Sequence, residues 1–324
     1  MNFHVSFPAR LTASCLVAGL TTLAADGVSA QDYPFKPIRI LTTEPGSGSD
    51  VVARLLAQGL TASVGQQVVV DNRGVLSAEL TAKSAPDGYT LLLNGPFIWL
   101  MPFMRSNPPY DPLRDLAPVT LAVTAANILA VHPSLPVDSV QSLIALAKAK
   151  PGQLNYGSSA LGGTPHLAGE LFKAMAGVDI VRVPYKGIAQ AVTGLLGGEI
   201  ALMFPTAGSA RPHVNSGRLK ALAITSAQPS PLFPGLPTVN ASGLPGYESS
   251  TFTGVFAPAK TPAAVIFRLN QEMVRILQSP ASKDRFAAGG LEVVGSTAEQ
   301  FGATVKTDMT RMGKVIRDAG IRSE

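Results

Sequence analysis

Short apolar runs alternate with helix-period segments along most of this chain, and that alternation constrains the fold more than any other feature. Residues 37–41 (Pro-Ile-Arg-Ile-Leu) form a short strand that runs into a Gly/Ser loop. Val51, Val52, Leu55, Leu56 and Leu60 then recur at helical spacing, with Asp50 placed as N-cap. Residues 67–70 make the next strand, 78–85 a helix stopped by Pro86-Asp87-Gly88, and 89–93 a third strand. A βαβαβ order of this kind requires a parallel sheet with right-handed crossovers.

A second unit of the same type starts near residues 127–131. Asp138 and Gln141 suggest a capping box ahead of Val140, Leu143, Ile144 and Ala147. Residues 154–157 form a strand, and Thr164-Pro165 opens a helix with a cap and a first-turn proline. Further strands are expected at 180–183, 200–204 and 220–224, with a helix over 187–196. Residues 225–246 carry five prolines and read as an irregular connection. From Thr253 the pattern becomes helical, with starts at Thr261-Pro262 and at Ser296 with Glu299. These helices have no strands of their own, so the chain is expected to return and cover the first unit. The organisation that follows is α/β with two lobes: lobe 1 from 31–124 and 253–324, lobe 2 from 125–252, and crossovers near 125 and 252. No internal repeat is visible in the sequence.

The N-terminus sets the compartment. Residues 1–10 carry Arg10 and no acid, 11–23 are apolar or small, and Val28-Ser29-Ala30 ends in a small-x-small pattern. A basic start, a short apolar run and a small-residue exit make a secretory signal, too short to span a membrane. Cleavage near Ala30 removes Cys15, the single cysteine. The mature protein is therefore an exported chain of about 300 residues held together by core burial alone, which that length permits. The formal charge of +5 is scattered, with no Lys/Arg run and no aromatic-interleaved basic strip, so nucleic acid is not the expected partner.

Two loop-to-helix junctions carry the chemistry. The first is Thr43-Glu44-Pro45-Gly46-Ser47-Gly48-Ser49. The second runs through Ser158, Ser159, Gly162, Gly163, Thr164 and His166. Each puts small residues and hydroxyls ahead of a helix, where free N–H groups and the positive end of the helix dipole favour a carboxylate or phosphate. Each also leaves the C-terminal end of a parallel strand, where open α/β sheets bind ligands. Turn chemistry explains either loop alone; two of them in separate lobes point to a cleft. Asn94 and Phe97, after the third strand, and Tyr185, Lys186 and Gly187, after a later one, are further candidates. Tyr185 reads equally as a ligand wall or a packing residue, and Trp99 reads as core.

Enzymatic readings fail on spacing. Gly46-x-Gly48 is followed by Val51 where a dinucleotide fingerprint needs its third glycine, and no Gly-x-Ser-x-Gly elbow occurs. A secreted hydrolase built on Ser159 and His166 lacks a recognisable orienting acid. His132, His166 and His213 are too widely spaced for a metal site. No cofactor, metal or catalytic residue is expected.

Many motifs in series resemble the tripartite tricarboxylate transporter receptors, also called Bug receptors. They include Tyr33 to Ile40, Asp50-Val51-Val52-Ala53-Arg54, Val69-Val70-Asp71-Asn72-Arg73, and Ala85 to Leu91. Leu154 to Ser158 with Pro165-His166-Leu167, Val183 to Gly187, Ser216 to Ala223, Gly235 to Val239, Gly243 to Tyr247, and Gly254 to Pro258 continue the match. The resemblance spans the mature chain. It implies a type II periplasmic binding fold, two lobes of mostly parallel sheet with helices on both faces and two hinge crossovers. It also implies a small organic acid as ligand, held by main-chain amides and waters, and a membrane permease with one large and one small subunit as partner to a monomeric, periplasmic receptor. A sensory receptor presenting the same ligand to a signalling partner is equally compatible with the residues.

Three positions depart from the family pattern. Thr42-Thr43-Glu44 stands where an aromatic and paired prolines are usual. Gly74-Val75-Leu76 is shorter than the usual glycine-rich stretch. Pro205, followed by Thr206, replaces an aspartate able to meet an amine or hydroxyl. Glu44, facing inward, would repel a carboxylate unless protonated or paired with Lys186. The expected ligand is therefore an aromatic, hydroxylated or monocarboxylic acid, and Thr206 joins the candidate residues.

Overall fold

Two β-sheets and the helices that cover them account for the chain's architecture. The computed structural model describes residues 1–4, 33–159 and 161–322. The signal segment and Cys15 lie outside the described residues apart from the first four positions. Residues 34–324 make one unit, and the first unit, 1–33, holds no helix or strand among its described residues.

In chain order the elements are β1 (Ile38–Thr42), α1 (Gly48–Val64), β2 (Val68–Asn72), α2 (Ser77–Ala82), β3 (Thr90–Asn94), α3 (Phe97–Met104), α4 (Pro112–Asp115) and β4 (Leu116–Ala126). The second lobe holds β5 (Ile128–Val131), α5 (Val140–Ala149), β6 (Asn155–Ser158), α6 (Thr164–Ala176), β7 (Val181–Pro184), α7 (Ile188–Leu196), β8 (Leu202–Met203), α8 (Ala207–Asn215) and β9 (Lys220–Ile224). The chain then supplies β10 (Ser250–Pro258), α9 (Ala263–Leu277), α10 (Pro280–Ala288), β11 (Glu292–Val293) and α11 (Ala298–Asp318) to the first sheet.

The sheet orders are β11-β4-β10-β3-β1-β2 and β7-β6-β8-β5-β9. Setting the edge strand β11 aside, both follow one plan: the lobe's second, first and third strands, then a reversed strand, then a fourth. The reversed strands are β10, antiparallel to β3 and β4, and β5, antiparallel to β8 and β9. Each is the strand that has just arrived from the other lobe. A plan used twice thus underlies a sequence with no visible repeat.

Three strands differ from the sequence reading. The segment after Thr253 is not purely helical, because β10 pairs along β4 from Ser250↔Ala126 to Pro258↔Leu116. Both are central strands, so their residues are buried with little alternation and carry no period-2 signal. Gly254 sits inside β10 because the Phe301 ring occupies its side-chain space; an added Cβ would lie 2.1 Å from that ring. The short edge strand β11 also escaped the sequence pattern.

Helix starts are displaced from expectation for a common reason, competition among neighbouring polar residues. Ser47, not Asp50, caps α1; Ser139 with Ser142, not Asp138 with Gln141, forms the capping box of α5. Gly163 is the N-cap of α6, with Thr164 already helical, and Thr297 with Gln300 caps α11 in place of Ser296 and Glu299. In each case the residue that adopts extended backbone directly before the helix takes the role.

Each lobe has an aromatic centre. Trp99, Phe256 and Phe301 meet with centroids 4.7–6.1 Å apart, and Phe172 lies 5.7 Å from Phe204 and 6.3 Å from Tyr247. One apolar cluster runs through both centres, with α11 packed on α3 and on α6. No helix among the described residues is long and apolar enough to cross a membrane.

Trp99, fully buried as its core assignment expected, donates from Nε1 to Asp308 Oδ2 at 2.8 Å. Burial pushes the Asp308 carboxyl up, while this bond and Arg311 pull it the other way. Trp99→Phe removes the indole N–H along with part of the ring, leaving a buried carboxyl oxygen unmet beside a small void. A loss of about 1–3 kcal/mol is expected, read as a lower denaturant midpoint at unchanged slope. An unmoved midpoint would show that Arg311 alone satisfies Asp308.

Candidate functional site

The first junction is built on the C-terminal end of β1. Thr42 Oγ1 donates to Leu93 O at 2.8 Å, pinning the strand end to β3. Gly46 turns the chain at φ +79°, a conformation that a side chain resists. Thr43 and Ser47 join through their hydroxyls, and Ser47 Oγ accepts from Asp50 N–H at 3.2 Å. Asp50 then works backwards: its Oδ2 accepts Gly46 N–H at 2.9 Å and Arg54 Nε at 3.0 Å, and its Oδ1 accepts Asn72 Nδ2 at 2.8 Å. The same Asn72 nitrogen donates to Thr43 O at 2.6 Å. The loop is therefore clamped from beneath by a buried carboxylate. Gly46 N–H, expected free, is consumed by that clamp. Gly48 and Ser49 N–H have no acceptor among the described residues, and a Cβ on Gly48 would meet nothing within 4 Å.

The second junction follows β6. Ser158 is fully buried, and Arg182 fixes it from behind, donating from Nε to Ser158 Oγ at 2.7 Å and from the guanidinium to Ser159 O at 3.1 Å. Gly162 turns the loop at φ +71°. Its N–H donates to His166 Nδ1 at 3.0 Å, so this amide too is taken. Burial, with Arg182 nearby, holds the His166 pKa down to about 4, which keeps the ring neutral and Nδ1 open to accept. His166 thus shapes the loop. Gly163 and Thr164 N–H have no acceptor among the described residues, and Pro165 removes the next donor.

Other candidates fall into place differently. Asn94 is buried, donating to Ser77 Oγ at 3.1 Å and accepting Gly95 N–H at 2.8 Å, so its carboxamide braces β3. Phe97 is half-buried against the apolar core at the start of α3. Tyr185 does not stand as an open wall. Its ring fills the space over Gly194, where an added Cβ would lie 2.3 Å from the hydroxyl, and that hydroxyl donates to Glu199 at 3.2 Å. Lys186 is exposed, and Gly187 caps α7 with extended backbone and open space around it. No ion pair joins Lys186 to Glu44 among the described residues; the Glu44 carboxylate leans toward Gly74 instead, 2.6 Å from where a Cβ would stand. Thr206 caps α8 and its Oγ1 meets Ser209 Oγ at 2.9 Å.

The lobes touch beside these loops. A Cβ on Gly162 would come within 2.5 Å of Met104 Sδ at the end of α3, and one on Gly208 within 2.6 Å of Gly289 O. Thr164 and Leu167 of α6 share a cavity of about 10 Å³ with Leu100, Ser249, Asp308 and Arg311, room for roughly one water. Arg311 donates to Glu248 at 2.7 Å and to Asp308 at 3.3 Å. No hydrogen bond joins the first loop to the second among the described residues. The sequence reading overlooked Asn72, Asp308, Arg311 and Asn127; only Asn127 left a signal, as a carboxamide interrupting the apolar run 125–131.

Among known proteins, the family model described as tripartite tricarboxylate transporter family receptor matches residues 52–321. Protein BugT of Bordetella pertussis is 39% identical over 320 residues, covering 97% of this chain and 98% of that one. The Rpa4515 protein of R. palustris, solved with adipate, superposes with a TM-score of 0.77 at 35% identity, covering 90% of this chain and 99% of its own. MatC from Rhodopseudomonas palustris, with bound malate, gives 0.72 at 25% identity, covering 88% and 100%. The two-lobed α/β fold of periplasmic binding proteins, expected from the motifs, is the fold these structures share.

Acid should loosen the first loop in a defined window. The Asp50 carboxyl, which burial alone would push up, is held down to about 2 by Arg54, Asn72 and Gly46 N–H. A carboxyl depressed on folding stabilises above its unfolded value near 3.9, and that stabilisation fades as pH falls through the folded value. Asp50→Asn should therefore lower stability at neutral pH and flatten its dependence between about pH 4 and pH 2. A melting curve against pH reads this; identical acid limbs for both proteins would contradict the clamp.

Proposed function

The chain belongs to the tripartite tricarboxylate transporter receptor family, and on that premise we propose that this solute-binding protein captures a small organic acid between its lobes and delivers it to a membrane permease of one large and one small subunit. The observation that carries the reading is the set of main-chain donors that have no acceptor among the described residues at two helix starts, Gly48 and Ser49 in one lobe and Gly163 and Thr164 in the other. Such groups, at the positive ends of α1 and α6, suit a carboxylate better than any neutral or cationic solute. Family members solved with adipate and malate, both carboxylates, support the same class.

In this reading Thr43, Ser47, Gly48, Ser49, Ser159, Gly163 and Thr164 meet the acid, while Lys186 and Gly187 border the opening. Asn94, Ser158, Gly162, His166 and Tyr185 hold the walls in shape. Glu44 sets a limit, since an exposed carboxylate at the rim disfavours highly charged anions. The lobes, residues 31–124 with 253–324 and residues 125–252, close on the ligand about the two crossings. The receptor acts as a monomer in the periplasm, with its leader removed near Ala30.

Thermal unfolding against a panel of carboxylates tests the proposal. A ligand at 100 times its Kd should add about 2.7 kcal/mol of stability. A panel of mono- and dicarboxylates that leaves the transition unmoved would overturn it. Within the site, Ser159→Ala should weaken binding by about 1 kcal/mol, close to fivefold. Unchanged affinity would remove the Ser159 hydroxyl from the contact set.

A further inference from the structure

Four buried side-chain polar atoms have no hydrogen-bond partner among the described residues: Asn127 Nδ2 and Oδ1, Thr251 Oγ1 and Arg311 Nε. Buried orphans are rare in folded proteins and each calls for a reason. Here all of them sit where the lobes join. Asn127 is the residue between β4 and β5, and Thr251 lies on β10 opposite Ala125. Arg311 borders the small interlobe cavity.

The main chain at the crossing is fully used. Asn127 N–H donates to Thr225 Oγ1 at 2.9 Å, and Asn127 O accepts from Thr225 N–H and Oγ1, both at 2.9 Å. Only the carboxamide is left over, and it is fully buried. A leucine would fill much the same volume with no unmet polar atom, so packing gives no role to the amide. Alternation along extended backbone turns Asn127 to the same side as Ala125, and antiparallel pairing places Thr251 on that side as well. The bridge between Asn127 and Thr206 brings the Thr206 backbone alongside.

We propose that Asn127 and Thr251 form a hinge-side recognition point for a hydroxyl group carried by the bound carboxylate. The proposal rests on the reading of the cleft as a carboxylate site and adds the class of acid. A carboxamide offers a donor and an acceptor side by side, and the Thr251 hydroxyl serves as either. An alcohol, which donates and accepts at once, completes that set. A second carboxylate only accepts, and would leave Asn127 Oδ1 facing another oxygen. Arg311, which lines the small interlobe cavity, already donates to Glu248 and Asp308, so it does not call for a second acid group. Closure over an acid without the hydroxyl leaves Asn127 and Thr251 unmet; closure over a hydroxy acid gives both a partner.

Calorimetric titration of the full chain with matched pairs, malate against succinate and lactate against propionate, tests this. The hydroxylated member of the better-bound pair should bind at least about tenfold more tightly, equal to about 1.4 kcal/mol. Asn127→Leu should bring that ratio to about one while leaving affinity for the plain acid within about threefold. Thr251→Val gives the same reading from a separate position should the first variant fold poorly. Equal affinities in the unaltered protein, or a ratio that survives both substitutions, would overturn the proposal and assign the orphans to a buried water. Tight binding without hydroxyl preference overturns this inference alone; failure of every acid to bind overturns it together with the carboxylate reading.

Discussion

The antiparallel ladder between β4 and β10 is the constraint on which the rest of the molecule depends. It pairs the strand leaving the first lobe with the strand returning to it, from Ala126 opposite Ser250 to Leu116 opposite Pro258. Its buried main-chain groups must stay paired, so the first lobe cannot shear along this seam. Freedom between the lobes is thereby pushed to the residues just beyond the ladder, Asn127 on one side and the stretch leading to Ser249 on the other. The chain crosses between the lobes there twice, and among the described residues no strand pairing joins the two sheets elsewhere.

Around the two loops that precede α1 and α6, charge shapes the backbone and then hides. Asp50 is matched by Arg54 and Asn72, Arg182 is turned onto Ser158 and Ser159, and His166 stays neutral against Gly162. What remains uncommitted at the helix starts, among the described residues, is a handful of peptide N–H groups. In the proposed site these amides, at the positive ends of α1 and α6, draw the anion, and Lys186 stands only at the opening. Small residues set its shape, and in the proposed reading the Asn127 carboxamide and the Thr251 hydroxyl distinguish one acid from another.

Much of this was legible in the sequence, and the exceptions have identifiable causes. The glycine- and serine-rich junctions were visible because turn residues directly precede helix-period runs. Trp99 read correctly as core from its apolar neighbourhood. β4 and β10 did not, because strands buried on both faces lose alternation and Gly254 looked like a break where it makes room for Phe301. Tyr185 was ambiguous because its packing partner, Gly194, lies on the far end of the following helix. Gly46 and Gly162 looked like free donors; their acceptors, Asp50 and His166, lie four residues ahead, where a local back-bond competes with any ligand. The departure at Glu44 was visible, but its lean toward Gly74 depends on a loop from another strand.

The Thr225 hydroxyl reaches the carbonyls of both Asn127 and Ser249, so the second lobe begins and ends at neighbouring points on one small polar clasp. In modular terms that lobe is a cassette inserted into a host domain through a narrow gate. A graft of the segment between those residues from a related receptor has two adjoining strand ends to match, together with the packing of α6 on α11. Half of the proposed anion-facing surface would change with it, while the host's own half stays as it was. Diversity of preference across such receptors can therefore arise by exchanging whole lobes as well as by altering single side chains.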